Sequence, residues 1–188
     1  MSIRGSKSLI MNYKNYIFID RDDTLIIDKE YLSDPAGVEF PKGAIDGLKR
    51  LRDAGYGIIL ITNQSGIGRG YFTENDLTAV HNRLKELLAA EGLSLAAIYY
   101  CPHAPDANCN CRKPKTGMLE AACKDFDIDL KTTAMFGDSK VDVQLAKNFG
   151  ITAIQVTSGK KTPLPDADFV AETLDEAAIW FLKTMHNA

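Results

Sequence analysis

Acidic side chains follow directly after a short apolar run near the start of the sequence. Residues 16–19 are apolar or aromatic, which predicts a buried strand, and Asp20 and Asp22 come immediately after it. Residues two apart in an extended chain lie on one face, so we expect the two carboxylates close together. Such a pair is costly unless a cation or a shared proton relieves the repulsion. The run also fits a strand that enters a polar turn, where Asp is common.

Two later apolar runs, residues 57–62 and 133–136, end in polar groups as well. Thr62 closes the first run, and Asp138 follows the second. The carboxyl ends of parallel strands meet at one edge of a sheet, where ligands bind. Three carboxylates at that edge suit Mg²⁺, beside which an Asp can attack phosphorus and a second Asp can shuttle the proton of the leaving oxygen. Thr62 would donate a hydrogen bond to a phosphoryl oxygen, and Lys113 would supply positive charge.

The elements that must position these groups alternate along the chain. The alternation predicts a parallel sheet covered by helices on both faces, a three-layer α/β fold of the Rossmann type. Residues 25–42 show no clear periodicity and read as a long loop near the acids. Strands are predicted at 16–19, 57–62, 96–100, 133–136, 151–156 and 168–170, and helices at 44–54, 73–92, 115–126, up to 149 and 173–185.

Length and composition are those of an ordinary globular protein. The chain has 188 residues, of which 45% are hydrophobic and 25% charged, and its formal net charge is −3. This charge gives no reason to expect nucleic acid or a membrane surface as a partner. We expect one domain over residues 15–188 and an extension over residues 1–14, with Met11 as a candidate native start. Neither a secretory signal nor a membrane span is predicted.

Cysteines cluster in one loop, residues 101–111. Three thiolates and one imidazole fit a closed tetrahedral Cys₃His zinc site, which would fold a loop that has little apolar side chain of its own. The alternatives are a reduced loop without metal and a Cys109–Cys111 redox pair. Clustered cysteines of this kind favour a cytoplasmic protein. The candidate zinc ligands are Cys101, His103, Cys109 and Cys111.

With these motifs in place, the chain resembles the haloacid dehalogenase superfamily of phosphohydrolases. Its Asp-x-Asp-x-Thr motif corresponds to residues 20–24, and its later motifs correspond to Thr62, Lys113 and Asp138. The resemblance covers residues 16 to about 156. It implies Asp20 as nucleophile and Mg²⁺ ligand. It also implies Asp22 as acid and base and as ligand through its carbonyl oxygen, with Asp138 as the remaining ligand.

Further segments are similar to one branch of that superfamily, the heptose bisphosphate phosphatases and their histidinol-phosphate phosphatase relatives. These segments are residues 62–70 and the cysteine loop with Arg112 and Lys113 after it. The implied reaction removes the 7-phosphate of D-glycero-D-manno-heptose 1,7-bisphosphate, in nucleotide-heptose synthesis for surface polysaccharide. No large cap domain is inserted, and Asp23 stands where Gly is usual. The implied substrate contacts are Asp28, Tyr31, Thr62, Asn63, Gln64, Ser65, Arg69, Arg112, Lys113 and Ser139.

Two alternatives remain open at this stage. The same chemistry could act on histidinol phosphate or on another small phosphomonoester. A phospho-acceptor domain like a response-regulator receiver also combines a parallel sheet with acids, Thr and Lys. Receivers generally have no zinc loop, however, and carry their acid pair and phospho-acceptor on different strands, whereas Asp20 and Asp22 are two residues apart. The predicted partner is a small phosphorylated sugar, bound by a monomer.

Overall fold

Six parallel strands form the centre of the fold, in the order β3-β2-β1-β4-β5-β6. The computed structural model describes residue 13 and residues 15–186. The order reverses between β1 and β4, as in the Rossmann fold, so the predicted α/β class is confirmed. The strands are β1 (Asn15–Ile19), β2 (Tyr56–Asn63), β3 (Ala97–Cys101), β4 (Ala134–Gly137), β5 (Thr152–Val156) and β6 (Phe169–Ala171).

Helices connect the strands and cover both faces of the sheet. The predicted helices are present with ends shifted by a few residues, and one short helix, α2, lies in a segment where no helix was predicted. Four residues are too few for helical periodicity to show in a sequence. The helices are α1 (Ala44–Asp53), α2 (Ser65–Gly68), α3 (Glu74–Ala90), α4 (Gly117–Asp125), α5 (Lys140–Phe149) and α6 (Leu174–His186).

Alternate residues of the central strands enter two separate apolar cores. In β1, Ile17 and Ile19 pack on the face covered by α1, α3 and α6, whereas Phe18 packs on the face covered by α4 and α5. All three side chains are fully buried. Because β1 is covered on both faces, it reads as a continuous apolar run. Asp20 continues this run and is therefore carried into the interior at the end of the strand.

Two helices begin with reciprocal caps, and one of these caps reaches the carboxyl edge of the sheet. At α3, Thr73 and Asp76 form the capping box that their spacing predicts. At α5, Ser139 and Asp142 form a second one. Asp142 lies in the first turn of α5, just after β4, and is 1% exposed. The carboxylate of Asp142 that caps α5 is therefore buried at the same edge of the sheet as Asp20.

The connection from β1 to α1 is a long loop, as predicted, and no separate cap domain is inserted within residues 15–186. No helix in the described part of the chain is long and apolar enough to cross a membrane. The predicted extension and Met11 lie outside the described residues, apart from Tyr13. The boundary between extension and domain therefore stays a prediction.

Candidate active site

A pocket of about 340 Å³ opens where the strand order reverses, over the carboxyl ends of β1, β2 and β4. The backbone N–H of Asp20 donates to the carbonyl oxygen of Phe136 at 2.8 Å, which brings the acidic segment after β1 against the end of β4. The structure thus brings together most of the residues predicted for the site. The predicted residues that line the pocket are Asp20, Asp22, Asp28, Tyr31, Thr62, Asn63, Gln64, Ser65, Lys113, Asp138 and Ser139.

A buried ammonium lies between two buried carboxylates at the base of the pocket. Lys113 Nζ is 2.6 Å from Asp20 Oδ1 and 2.6 Å from Asp142 Oδ1, and it also donates to the carbonyl oxygen of Ile61 at 3.1 Å. Burial raises the pKa of Asp20 well above its usual range, whereas the Lys113 charge opposes this rise. Burial alone would lower the pKa of Lys113, but the carboxylates of Asp142 and Asp20 raise it. Lys113 therefore stays charged and favours an ionised Asp20.

The orientation of Asp20 leaves one of its oxygens available. Oδ1 accepts hydrogen bonds from Lys113 Nζ and, at 2.7 Å, from the backbone N–H of Arg21. Among the described residues, no side chain or backbone group donates to Oδ2. A carboxylate held by one oxygen in this way can present the other to an electrophile above it.

A guanidinium fixes the second acid of the pair. Arg21 is 1% exposed, and its Nε and Nη2 donate to Asp22 Oδ1 at 3.0 and 2.9 Å. Gln64 joins this network, because it accepts from Arg21 Nη2 at 3.1 Å and donates to Asp22 Oδ2 at 3.1 Å. It also donates to Thr62 Oγ1 at 2.7 Å. The network holds the Asp22 carboxylate and the Thr62 hydroxyl in one fixed arrangement, with Asp22 still in contact with the pocket.

The donor set at the base of the pocket fits a hard divalent cation. Asp20, Asp138 and Asp142 each offer a carboxylate oxygen, and these oxygens all lie within 4.8 Å of one another. Burial, and then the negative charge of Asp142, raise the pKa of Asp138 to about 6. Asp142 is already engaged by Lys113 and by Ser139, so Asp20 and Asp138 are the carboxylates best placed to take a cation.

The backbone of Lys113 is fixed from the neighbouring strand end. Asn63 Oδ1 accepts from the Lys113 N–H at 3.0 Å, and Asn63 Nδ2 donates to the Lys113 carbonyl oxygen at 3.3 Å. Asn63 was predicted to touch substrate. Its amide is instead occupied by the Lys113 backbone, although the residue also lines the pocket.

The cysteine loop brings its four candidate ligands into one cluster just before Lys113. Cys101 Sγ lies 3.5 Å from Cys109 Sγ and 3.3 Å from Cys111 Sγ, and His103 Nδ1 lies 3.3 Å from Cys111 Sγ. These separations are too long for disulfides, in which sulfurs are about 2.05 Å apart. Thiolates at ~2.3 Å from a tetrahedral zinc lie roughly 3.8 Å apart, so the cluster is close to the size of a zinc site.

Two predicted substrate contacts do not line this pocket. Arg69 is exposed directly after α2, and Arg112 lies beside an adjacent depression formed with Pro105, Asn108 and Lys115. Both residues stand next to segments that do form the site, α2 and Lys113. The family resemblance implied both as substrate contacts, and these roles stay predictions.

The charged residues at the site that were given no role from the sequence include Arg21, Asp23, Asp142 and Lys161. Arg21 and Asp23 lie within the motif of residues 20–24. Asp142 lies three residues after Ser139, the spacing of a capping box. Lys161 comes from the loop after β5, where no pattern marks it. Asp23 has a φ of 55°, the left-handed region that favours glycine and tolerates Asp, and its Oδ2 lies 3.0 Å from Lys161 Nζ.

Comparisons with known proteins show which proteins this chain is similar to. A family model described as HAD-hydrolase-like matches residues 110–177. The D-glycero-beta-D-manno-heptose-1,7-bisphosphate 7-phosphatase of Helicobacter pylori strain 26695 is 40% identical over 156 residues, covering 81% of this chain and 90% of that protein. The enzyme of the same name from Pasteurella multocida is 41% identical, covering 78% and 84%.

A solved structure resembles the whole described fold. The D,D-heptose 1,7-bisphosphate phosphatase of B. bronchiseptica, complexed with magnesium and phosphate, superposes with a TM-score of 0.82 at 33% identity. The alignment covers 90% of this chain and 99% of that one. The magnesium in that relative is a hard divalent cation, the kind of ion that the carboxylates of this pocket fit.

Replacing Arg21 by Lys tests the fixed orientation of Asp22. An ammonium keeps the charge but cannot reproduce the fork of two hydrogen bonds to a carboxylate. We expect Arg21→Lys to lower kcat for phosphate release by roughly tenfold to a hundredfold, the range expected when a proton-transfer group is misplaced, while KM changes little. Steady-state kinetics measure both values. Arg83→Lys on the exposed face of α3 is the matched control, and an unchanged kcat in Arg21→Lys would rule out the orienting role.

Proposed function

This chain belongs to the haloacid dehalogenase-like hydrolases, and from that membership we propose that it is the phosphatase that removes the 7-phosphate of D-glycero-β-D-manno-heptose 1,7-bisphosphate. The observation that carries the proposal is the convergence of Asp20, Asp22, Thr62, Lys113 and Asp138 in one pocket. The names of the similar proteins support the substrate and its β anomer. The monomeric state and the cytoplasmic location remain predictions from the sequence.

In the first step, an oxygen of Asp20 attacks phosphorus and the bond from phosphorus to the sugar oxygen breaks. The proton that the leaving oxygen needs comes from Asp22, whose carboxyl group the Arg21 fork aims into the pocket. Thr62 and Lys113 line the same pocket as Asp20, and their hydroxyl and ammonium groups can stabilise the negative charge on the transferring phosphoryl group. The products of this step are the free sugar hydroxyl and a phosphorylated Asp20.

In the second step, water attacks the phosphorus of phospho-Asp20. Asp22, now ionised, accepts the proton of that water, and the bond between phosphorus and Asp20 breaks to release inorganic phosphate. Asp22 donates a proton in the first step and accepts one in the second. The hydrogen bonds from Arg21 and Gln64 that orient its carboxyl group therefore serve both steps. The carboxylates of Asp20 and Asp138, with the carbonyl oxygen of Asp22 that the family resemblance implies, would hold Mg²⁺, which would supply positive charge to neutralise phosphate oxygens.

We also propose that Cys101, His103, Cys109 and Cys111 hold a structural zinc ion. Support comes from the separations within the cluster and from its position. The loop contacts α2 closely, since the Gly68 N–H donates to the Pro102 carbonyl oxygen at 2.8 Å. The last cysteine lies two residues before Lys113. Zinc would therefore fix the segment that delivers the buried ammonium.

Substrate comparison is the direct test of the function. We expect kcat/KM in the presence of Mg²⁺ to be highest for the β anomer of the heptose 1,7-bisphosphate, by at least about a hundredfold over histidinol phosphate, because the loss of a charged contact costs this much. Release of phosphate from the two heptose anomers and from histidinol phosphate is measured under one set of conditions. A preference for histidinol phosphate would reject the sugar substrate while leaving the phosphatase chemistry in place.

Replacing Asp20 by Asn tests the nucleophile. The amide keeps the shape but cannot form the acyl phosphate, so we expect kcat to fall on the order of 10³-fold or more. Asp166→Asn, in the exposed loop before β6, is the control for a lost carboxylate. Mass spectrometry of acid-quenched wild-type enzyme should detect one added phosphoryl group, absent from the Asp20→Asn variant. Retention of full activity by Asp20→Asn would exclude the covalent route.

Removing one thiol tests the zinc site. We expect Cys111→Ser to lose zinc, with the metal content of purified protein falling from about one ion per chain towards zero. Because the loop positions Lys113, activity and thermal stability should fall together. Cys123→Ser, which removes a thiol outside the cluster, is the control and should keep its zinc. Wild-type protein without zinc but with full activity would exclude the proposal.

A further inference from the structure

The basic groups that line the pocket are outnumbered by acids, and two of the three bases are buried against their partners. The three bases are Arg21, Lys113 and Lys161, and the acids are Asp20, Asp22, Asp23, Asp28, Glu30 and Asp138. Arg21 is directed at Asp22 and Gln64, and Lys113 is held between Asp20 and Asp142. Both of these side chains are 2% exposed. Neither can leave its partners to follow a second anionic group of a substrate.

Lys161 differs from these two in exposure and in the strength of its contacts. Its side chain is 41% exposed, and Nζ lies 3.0 Å from Asp23 Oδ2 and 3.2 Å from Asp138 Oδ2. Because the Lys161 side chain is long and 41% exposed, its ammonium can turn from a carboxylate towards a phosphate without a change in the backbone. Among the described residues that line the pocket, Lys161 is the exposed base.

The backbone that carries Lys161 is fixed, although the side chain is free to exchange. Its N–H donates to the carbonyl oxygen of Thr157 at 3.0 Å, which closes a turn directly after β5. Ser158 Oγ donates to the carbonyl oxygen of Asp23 at 2.9 Å, which attaches this turn to the acidic segment after β1. The ammonium is therefore held at the β5 side of the pocket, next to Asp23 and Asp138. This position is away from Thr62, which closes β2 on the other side of β1.

We propose that Lys161 binds the phosphate that is not transferred, so that it selects a sugar bisphosphate over a sugar monophosphate. This inference rests on the proposed function, because a second phosphate is present only in a bisphosphate substrate. The reacting phosphate must lie over Asp20, between Thr62 and Lys113. The second phosphate of the same sugar must then lie elsewhere over the pocket, and Lys161 is the exposed base among the described lining residues that can turn towards it. Asp23 keeps the ammonium at this position between turnovers.

A purely structural role for Lys161 predicts a different result. If Lys161 only neutralises Asp23 and Asp138, its loss will affect all phosphomonoester substrates alike, because both acids are present with every substrate. If it binds the second phosphate, its loss will affect only substrates that carry one. The comparison between two substrates therefore separates the two roles within one variant.

The test compares Lys161→Met with wild type on the heptose 1,7-bisphosphate and on the same heptose carrying only the 7-phosphate. We expect kcat/KM for the bisphosphate to fall roughly tenfold to a hundredfold through a higher KM, as for the loss of one hydrogen bond to a charged group. For the monophosphate it should change by less than about threefold, and Lys161→Arg should restore most of the bisphosphate activity. Lys160→Met removes an adjacent exposed lysine that does not line the pocket and is the matched control.

The outcomes separate this inference from the proposed function. Equal losses on both substrates, or no loss on the bisphosphate, would overturn the role of Lys161 while wild-type turnover of the bisphosphate still stands. A wild-type enzyme that does not turn over the bisphosphate would overturn the proposed function, and with it this inference. A loss confined to the bisphosphate in Lys161→Met and absent from Lys160→Met supports it.

Discussion

The buried ion pair of Lys113 with Asp20 and Asp142 is the interaction on which the site depends. Burying charges is expensive, and it is sustained only where opposite charges and hydrogen bonds compensate. Counting Asp138 as well, the cluster holds three carboxylates and one ammonium, which leaves two negative charges when all are ionised. A divalent cation cancels that remainder. Burial raises the pKa of Asp20 and the Lys113 charge opposes that rise, so the ammonium that compensates the buried charge also favours the nucleophilic form of Asp20.

Much of the surrounding structure can be understood as support for the position of Lys113. The residue lies in a loop between β3 and α4, where regular secondary structure cannot hold it. Asn63 bonds both its N–H and its carbonyl oxygen, and the cysteine cluster precedes it by two residues. A loop with few apolar side chains gains little free energy from burial, whereas the free energy of metal binding can order it. The proposed zinc site thus acts on catalysis through backbone position.

The sequence predicts those features that depend on local pattern. Apolar runs predict the strands, and polar residues at the ends of those runs identify Asp20, Thr62 and Asp138 as candidates for the site. The close spacing of the cysteines predicts their cluster. Contacts between segments far apart in sequence are different, because no local pattern encodes them. The pairing of Lys113 with Asp142 and the approach of Lys161 to Asp23 depend on the strand order, which places the ends of β1, β4 and β5 side by side.

Without a cap domain, selection of the substrate falls to short loops that must already have their shape. Glu30 and Tyr31 at the rim have φ values of 41° and 53°, a left-handed conformation that is costly for residues other than glycine. Local contacts hold them there: Asp28 Oδ1 accepts from the Glu30 N–H at 3.0 Å, and the Tyr31 ring meets the Tyr71 ring edge-on at 4.7 Å. A rim fixed by such contacts on one side and by the turn after β5 on the other can discriminate by shape and charge before any movement. In a pocket without a cap domain, discrimination between substrates therefore depends on the positions of the fixed side chains at its rim.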